Sequence, residues 1–291
     1  MQRSTLFYVL KELRPKQWVK NLLVFLPLVA SHAPLHELWV SGVIAFLAFS
    51  ALASAVYIIN DISDIEVDRA HPEKRFRPIA AGHVSIKLGL IVAAGLTTLA
   101  IGLAWFLGRE FLVVLIVYLL LTTAYSFWAK QRRLLDIIFL AVLYGIRVIG
   151  GAAATGLDAS LWFLGFVGPV FLSLAAVKRL TEVTRLNVDG RVPGRAYARE
   201  DRWLILGIAV VSAVAGVLVF VGYSFSSAAE ALYDQITFFQ LAALALILWL
   251  SRMIWTAWIG MQSFDPITFA LRDRVGLSCV ICATVLVGLA I

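Results

Sequence analysis

Three aspartates, Asp61, Asp64 and Asp68, follow a long apolar run. Each helical residue adds about 100° of rotation, so this spacing predicts that the three carboxylates share one face of a helix, with Asn60 beside them. Carboxylates this close repel one another unless a cation neutralises them, and hard oxygen ligands suit Mg²⁺. The pattern predicts a magnesium site formed by Asn60, Asp61, Asp64 and Asp68. The alternative is a solvated helix end with scattered acids.

A basic segment follows the aspartates and contains Arg69, Lys74, Arg75 and Arg77. Guanidinium and ammonium groups beside a metal site match a diphosphate, since Mg²⁺ bridges carboxylate to phosphate and the bases neutralise the remaining oxygens. Without the neighbouring aspartates, the same run would be ordinary positive charge at the inner face of a membrane. The position of the segment therefore favours substrate binding.

Two further polar groups end later apolar runs. Tyr125 and Lys130 can offer a hydroxyl and an ammonium to a phosphate, although an aromatic belt with snorkelling bases gives the same pattern. Lys178, Arg179 and Glu182 either bind substrate or form a salt-bridged helix end, because their spacings are i,i+3 and i,i+4.

Long apolar runs must position these groups. The chain has 291 residues, of which 61% are hydrophobic and 15% charged, with a mean hydropathy of +0.90. This is too apolar for a soluble domain, and a membrane span needs about 20 mainly apolar residues. We expect an all-α, polytopic membrane protein: a single domain over 1–291, built as a bundle of about nine transmembrane helices. The predicted spans are 18–32, 37–59, 86–107, 110–127, 134–156, 160–178, 203–223, 236–256 and 274–291, and residues 1–17 predict an amphipathic helix on the membrane surface.

The distribution of basic residues predicts the orientation. With the N-terminus in the cytoplasm, 23 of the 25 Lys and Arg residues fall on the inner side, as the positive-inside rule requires. The active site is then expected on the cytoplasmic face of the inner (plasma) membrane. The net charge of +7 is explained by topology and by anionic lipid or phosphate, so no nucleic acid is expected.

Two other classes of site are less favoured. An ion-coupled transporter would spread acids through the bilayer midplane, whereas here they gather at one interface and only Arg147 is buried in a span. Cys279 and Cys282 lie in the last apolar run without a metal-ligand cluster, and we expect them to be buried small residues.

The sequence Asn60-Asp61-x-x-Asp64-x-x-x-Asp68 resembles the first aspartate motif of the UbiA superfamily of intramembrane prenyltransferases. The nine-span layout agrees over essentially the whole chain. The resemblance implies that the motif holds Mg²⁺ on a diphosphate. Aromatic prenyltransferases of the superfamily carry a second aspartate-rich motif after the sixth span, where this chain has Lys178-Arg179-x-x-Glu182.

Three segments together resemble the decaprenyl-phosphate phosphoribosyltransferase branch: Arg14-Pro15-Lys16-Gln17-Trp18-Val19-Lys20-Asn21, the Lys178 cluster, and Asp265-Pro266 to Asp273. That branch implies transfer of 5-phosphoribosyl from phosphoribosyl pyrophosphate to a polyprenyl (decaprenyl) phosphate. Diphosphate would be released and an arabinose precursor supplied for cell-wall arabinogalactan. The alternative is an aromatic prenyltransferase with a prenyl diphosphate donor.

The resemblance also implies roles for the residues. Asp61, Asp64 and Asp68 would be catalytic, holding Mg²⁺ on the leaving diphosphate. The lipid phosphate would be placed by Lys16, Lys20 or the Lys130 region. Lys178 and Arg179 would clamp a phosphate, while Glu182 holds a ribose hydroxyl or orients Arg179. Membrane lipid surrounds the chain, and the sequence is compatible with a homo-oligomer.

Overall fold

The computed structural model describes residues 4–32, 36–186, 190, 192, 194–262 and 265–291. These residues are 81% helical, and none of them forms a β-strand. They form two compact units. Arg3 and parts of the predicted inner loop at 187–189, 191 and 193 lie outside the described residues.

The first unit comprises Met1–Phe127 and Ile146–Asp158. Its elements in chain order are α1 (Thr5–Glu12), a 3₁₀ helix (Pro15–Phe25), α2 (Leu26–Ala30), α3 (His36–Ser63), α4 (Ile65–Ala70), a 3₁₀ turn (Lys74–Phe76), α5 (Ile86–Leu107), α6 (Arg109–Phe127) and the second half of α7 (Leu135–Thr155).

The second unit comprises Trp128–Gly145 and Ala159–Ile291. It contains a 3₁₀ turn (Ala129–Gln131), the first half of α7, α8 (Leu161–Thr184), a 3₁₀ turn (Arg199–Asp201), α9 (Arg202–Tyr223), α10 (Ser227–Leu232), α11 (Ile236–Trp258), α12 (Pro266–Ala270) and α13 (Arg274–Ala290).

Seven helices of the described residues are long and apolar enough to cross a bilayer, namely α3, α5, α6, α7, α8, α9 and α11. The two remaining predicted spans are also helical but shorter. Residues 274–291 form α13, which has 17 residues, and residues 18–32 fall in the first 3₁₀ helix and α2. The all-α membrane fold is therefore confirmed, with seven rather than nine helices of full spanning length.

The first 3₁₀ helix runs for 11 residues, although such helices rarely exceed one turn. Polar side chains tie it to its neighbours. Trp18 Nε1 donates to Ser54 Oγ at 3.0 Å, and Asn21 Nδ2 donates to Ser50 Oγ at 3.0 Å. Asn21 Oδ1 accepts a 2.8 Å hydrogen bond from Arg147 Nε. The buried Arg147 predicted in a span is thus paired inside the first unit.

The same helix packs very closely on α7 at Gly151. A Cβ added to this glycine would lie 1.9 Å from the carbonyl oxygen of Val24. Because that oxygen belongs to the backbone, no rotamer change can make room for a side chain. Gly151 therefore sets how near the two segments approach.

The N-terminal helix α1 covers Thr5–Glu12 and is shorter than the predicted 1–17. Some of its apolar side chains are exposed, and others pack against the protein. Leu6 and Leu10 are exposed, as expected for an amphipathic surface helix. Tyr8, Val9 and Leu13 instead pack against a buried cluster that includes Ile58 and Ile79, and Tyr8 stacks on His83. The apolar face of α1 therefore docks on the protein.

The last helix, α13, begins at a charged cap. Asp273 Oδ2 accepts a 2.8 Å hydrogen bond from the Gly276 amide, and Arg252 donates to the same carboxylate at 2.5 and 2.6 Å. The hydrogen bond from Arg252 lowers the pKa of Asp273. Farther along α13, Cys279 is half-buried and Cys282 exposed. The prediction that both cysteines are buried is wrong, because an outer helix of the unit presents them outward.

Candidate functional site

The aspartate motif spans a helix junction. Asp61 lies in the last turn of α3, α4 starts at Ile65, and Asp64 stands between the two helices. Asp61 and Asp68 are buried, whereas Asp64 is exposed. The shared face predicted for all three aspartates is therefore found for Asp61 and Asp68 but not for Asp64, since the helix is interrupted there.

Arginine side chains bridge the two buried aspartates. Arg77 Nη1 lies 2.9 Å from Asp61 Oδ1 and 2.5 Å from Asp68 Oδ2. Arg14 donates to both oxygens of Asp61, at 2.6 Å to Oδ1, and its guanidinium lies over the Tyr57 ring. Lys74 Nζ lies 4.0 Å from Asp68 Oδ1. We call Glu12, Arg14, Asp61, Asp68 and Arg77 the aspartate cluster.

Glu12 joins this cluster from α1. It is 2% exposed, and burial is the main cause that raises its pKa to about 8. A hydrogen bond with Asp61 and the negative charge of that residue raise it further, while Arg14 and Arg77 act in the opposite direction. Sequence reasoning missed Glu12, although it follows Tyr8 by four residues and Val9 by three and therefore shares their side of the helix.

The other predicted residues of the first unit either pair with protein groups or are at least partly exposed. Asn60 Nδ2 donates to Ser126 Oγ at 3.2 Å, Arg69 Nε donates to the Ala80 carbonyl at 3.1 Å, and Lys20 Nζ donates to Gln17 Oε1 at 2.8 Å. Lys16 and Arg75 are exposed, and Tyr125 is half-buried. Asn60, Arg69 and Lys20 are thus held by neighbouring protein groups.

A second charged cluster lies in the second unit. Arg179 is fully buried and forms ion pairs with Asp136 and Glu182. Arg195 Nη1 lies 2.7 Å from Asp136 Oδ1, and Arg195 Nε lies 3.4 Å from Glu182 Oε2. Two guanidinium groups and two carboxylates therefore neutralise one another, and Arg179 has no surface through which to touch a substrate.

Lys178 points to a different partner from its neighbour. Its Nζ lies 2.9 Å from Asp265 Oδ2, with 21% of the side chain exposed. The hydroxyl of the buried Tyr144 lies 3.4 Å from both Asp265 oxygens. Lys178 therefore keeps partial access to solvent, and Asp265 fixes its position. Lys130, also predicted as a phosphate ligand, is half-buried in this unit.

Several of these partners were outside the predicted site: Arg14, Asp136, Arg195 and Asp265. All four are separated in sequence from the residues that they pair with. Asp136 and Asp265 each stand beside a basic or apolar run, a pattern that by itself does not indicate an ion pair. Tyr197 was also missed. It accepts a 3.1 Å hydrogen bond from the Leu134 amide, and burial, followed by the charge of Asp136, raises its pKa to about 12.

Comparison with protein families assigns the chain to a family. The model of the UbiA prenyltransferase family matches residues 21–255. The chain belongs to this family. It is therefore an integral membrane protein of a helical superfamily, and its aspartate cluster lies where the first motif of the family was recognised in the sequence.

Related proteins differ in how much of their length matches this UbiA family member. Decaprenyl-phosphate phosphoribosyltransferase of Mycobacterium tuberculosis is 41% identical over 180 residues, which are 60% of this chain and 60% of that protein. Uncharacterized protein y4nM of Sinorhizobium fredii is 38% identical over 275 residues, or 91% of this chain and 52% of that protein. The chain thus spans between about half and three fifths of these relatives.

Solved structures share the fold. A UbiA homolog from Archaeoglobus fulgidus, bound to DMAPP and Mg²⁺, superposes with a TM-score of 0.69 at 14% identity, covering 96% of this chain and 99% of that one. At this identity the likeness concerns the fold alone. It agrees with the helical membrane architecture described above.

The aspartate cluster offers carboxylate oxygens as ligands for a divalent cation whose remaining ligands come from a phosphate. In the described residues, no three His, Cys, Asp or Glu side chains surround one point as they stand. Mg²⁺, however, usually takes only one or two carboxylates and keeps waters or phosphate oxygens as its other ligands. Among the described residues, no hydrogen-bond donor reaches Asp68 Oδ1. Asp61 and Asp68 of this UbiA family member therefore fit a Mg²⁺ that arrives with a phosphate.

An open groove in the second unit has a different character. It has a volume of about 650 Å³ between α9 and α11. Its walls are apolar and aromatic, with Trp203, Trp255 and Trp258 at one end. Such a surface suits hydrocarbon chains and excludes phosphate groups.

Proposed function

We propose that this UbiA family member transfers 5-phosphoribosyl from phosphoribosyl pyrophosphate to a polyprenyl phosphate of the decaprenyl type, with release of diphosphate. The observation that carries the proposal is the basic pair at the end of α8. Where the aromatic prenyltransferases would carry a second aspartate motif, this chain has Lys178 and Arg179. The 41% identity to a decaprenyl-phosphate phosphoribosyltransferase supports the same reaction.

The aspartate cluster would hold the diphosphate of the donor. Asp61, Asp64 and Asp68, with Asn60 in support, would bind Mg²⁺, which withdraws charge from the leaving diphosphate. Arg14, Arg77 and Lys74 already neutralise the aspartates. The same three cations are suited to bind phosphate oxygens, because guanidinium groups recognise phosphate through paired hydrogen bonds.

The cluster at the end of α8 would bind a second phosphate. Lys178 is its candidate ligand, since its ammonium is partly exposed and oriented by Asp265. The buried Arg179 would act as a positioning residue that holds Glu182, whose side chain is 31% exposed. Glu182 is then available for a ribose hydroxyl. Lys16, Lys20, Arg69, Arg75, Tyr125 and Lys130 remain further candidates for phosphate contacts.

The reaction itself needs little acid or base chemistry from the protein. An oxygen of the lipid phosphate attacks ribose C1, and the C1–O bond to diphosphate breaks with its electron pair leaving on diphosphate. The nucleophile is already anionic, so the cationic residues need only place it and offset charge at the departing group. The product would serve as an arabinose precursor for cell-wall arabinan.

The orientation forms part of the proposal. The positive-inside rule favours a cytoplasmic location, at the plasma membrane, for the helix ends that carry each cluster. Phosphoribosyl pyrophosphate is soluble and highly charged, so it would reach the protein from that side.

A transfer assay tests the proposal. Purified protein in detergent is incubated with radiolabelled phosphoribosyl pyrophosphate, Mg²⁺ and a polyprenyl phosphate, and label is followed into the organic phase. Parallel reactions contain a labelled prenyl diphosphate with an aromatic acceptor. We expect lipid-linked label only from the phosphoribosyl donor. Label from the prenyl donor alone would reject the proposal in favour of an aromatic prenyltransferase.

A further inference from the structure

The apolar groove between α9 and α11 is a surface that the proposed function does not use. Its walls include Leu206, Val210, Val214, Leu218 and Ile254, and several of these side chains are exposed. On a helix that crosses a bilayer such a surface meets lipid tails, which are as apolar as leucine. The apolar walls alone therefore do not select a ligand, but the charges at one end of the groove do.

Two arginines lie at the tryptophan end of the groove. The backbone N–H of Arg202 donates to the carbonyl of Arg199, and side chains three residues apart in a 3₁₀ turn lie on the same side. The guanidinium of Arg202 lies 3.4 Å from the centroid of the Trp258 ring and donates to the Trp258 carbonyl. Because Trp258 is part of the groove wall, these contacts hold the charge of Arg202 at the end of the groove.

The acids beside these arginines do not neutralise them. Asp201 lies between them in sequence but pairs with Arg133 at 3.3 Å. Glu200 is exposed, and in the described residues no ion pair within 4.0 Å joins it to Arg199 or Arg202. The Nε of Arg202 is buried without a hydrogen-bond acceptor in the part of the chain that the structure describes. Two like charges one turn apart therefore gain from an anion that lies between them.

Tryptophan side chains indicate that this end of the groove lies at the membrane surface. The rings of Trp203 and Trp258 are 4.8 Å apart, and Trp203 and Trp255 are exposed. Tryptophan is enriched at the level of the lipid headgroups. From Trp203 to Leu218 the groove follows α9 for about 22 Å at 1.5 Å per residue, which exceeds half of the roughly 30 Å hydrocarbon core. The groove is therefore long enough for one lipid chain below a headgroup.

We propose that this surface binds an anionic phospholipid, with its phosphate between Arg199 and Arg202 and one acyl chain in the groove. Guanidinium groups recognise phosphate through paired hydrogen bonds. In the proposed orientation the arginines face the cytoplasmic leaflet, where anionic lipids attract basic residues.

A resident phospholipid fits this surface better than the lipid acceptor of the proposed reaction. The acceptor must bring its phosphate to the donor. The hydrogen bonds of Arg199 and Arg202 go instead to the carbonyls of Leu186 and Trp258, neither of which belongs to a charged cluster. The proposed phospholipid site is therefore separate from the groups assigned to transfer.

Photocrosslinking in detergent tests the site without any transfer substrate. Full-length protein is incubated with phosphatidylglycerol that carries a diazirine on its acyl chain, or with phosphatidylcholine that has the same chains. Cross-linked peptides are mapped by mass spectrometry. We expect phosphatidylglycerol to label the groove walls at a concentration at least about five-fold lower, since the attraction of one basic residue to an anionic lipid corresponds to about that factor in affinity. Equal labelling by both lipids would overturn the proposal.

Two arginine variants separate a specific headgroup contact from general electrostatics. Arg202→Gln should raise the half-saturating concentration of phosphatidylglycerol about five-fold and leave labelling by phosphatidylcholine unchanged. Arg274→Gln is the matched control, because Arg274 is exposed and begins α13 as Arg202 begins α9. It should change neither value. An equal loss in both variants would overturn the site at Arg202.

A variant of the groove itself keeps the test open if Arg202→Gln does not fold. Val214 lines the groove midway along α9, and Val214→Trp fills that space while both arginines stay in place. It should abolish labelling of the groove walls, and labelling that persists would contradict the placement of the acyl chain. Unlabelled polyprenyl phosphate at equal concentration should leave the labelling unchanged. Its displacement of phosphatidylglycerol would assign the groove to the acceptor and overturn the phospholipid site. No transfer is measured, so failure of the proposed reaction would not affect these outcomes.

Discussion

Arg77 occupies the space between two buried carboxylates, so its charge is a structural requirement when no metal is bound. Arg77→Gln should leave Asp61 and Asp68 facing each other with less compensation, and removal of one partner of a buried ion pair costs about 3–5 kcal/mol. The partial exposure of Arg77, 27% of its side chain, places the expected loss at or below the lower end. We expect a lower melting temperature in detergent for this variant.

Divalent cations should restore part of that stability. A cation bound between Asp61 and Asp68 replaces the missing guanidinium, so Mg²⁺ should raise the melting temperature of Arg77→Gln more than that of wild type. NaCl at equal ionic strength serves as the control for screening. Arg75→Gln is the matched variant, because Arg75 is exposed beside Phe76. An equal response to Mg²⁺ in both variants would contradict a cation site at these aspartates.

Lys178 and Arg179 are neighbours with opposite expected phenotypes. Arg179→Gln removes a fully buried partner of Asp136 and should destabilise the protein by about 3 kcal/mol, as when a buried ion pair is broken. Lys178→Gln should change stability little but raise the apparent KM for one phosphate substrate roughly ten- to a hundred-fold. That range corresponds to about 1.5–3 kcal/mol for a hydrogen bond to a charged group.

The measurement combines thermal unfolding with separate titrations of phosphoribosyl pyrophosphate and polyprenyl phosphate. If Lys178→Gln left both Michaelis constants unchanged, Lys178 would be a structural partner of Asp265 only. Arg179→Lys is a useful companion, since it keeps the charge but loses the planar group that reaches both Asp136 and Glu182. It should recover only part of the stability.

At the scale of the helices, Gly151 offers a sharp test of packing. Gly151→Ala places a Cβ against the Val24 backbone and should cost at least the roughly 3 kcal/mol that marks the upper end of ordinary overpacking. Gly145→Ala is the control within α7, since an added Cβ there meets nothing within 4 Å. It should be neutral or gain up to about 1 kcal/mol from better helix propensity.

Unfolding of both glycine variants in detergent gives the comparison. Loss of Gly151 should also weaken the docking of the first 3₁₀ helix, which carries the bonds of Trp18 and Asn21 to α3. Equal stabilities for Gly151→Ala and Gly145→Ala would show that the helix and α7 can separate without cost.

The helices themselves were largely predictable. Each apolar run became a helix because its backbone groups must be satisfied internally in lipid, and the predicted 86–107 coincides with α5. The first span was harder. Its apolar composition predicted a helix but not an 11-residue 3₁₀ helix, which depends on hydrogen bonds from Trp18 and Asn21 to residues about 30 positions away.

Over the whole molecule, the site was predictable in its motif but not in its partners. The spacing of Asp61 and Asp68 follows from helix geometry, so the sequence indicated that they meet. Their ion pairs with Arg14 and Arg77, and the pair between Lys178 and Asp265, depend on tertiary packing that no local pattern encodes. Lys178 and Arg179 are adjacent and carry the same charge, yet Arg179 is fully buried and Lys178 is partly exposed. The sequence alone does not indicate this difference in burial.

The orientation of the whole molecule in the membrane can be tested at the two ends of α9. This helix has 22 residues, or about 33 Å at 1.5 Å per residue, enough to cross the hydrocarbon core. Basic residues gather before it, at Arg195, Arg199 and Arg202, whereas Glu230 and Asp234 follow it, so its start should be cytoplasmic.

With Cys279 and Cys282 replaced by Ala, Ser227→Cys should react with an impermeant thiol reagent in intact cells, and Glu200→Cys only after the membrane is opened. Both positions are exposed, so burial does not explain a difference. Labelling of Glu200→Cys from outside, with Ser227→Cys protected, would reverse the orientation and place the bases that start α9 on the side without cytoplasmic phosphoribosyl pyrophosphate.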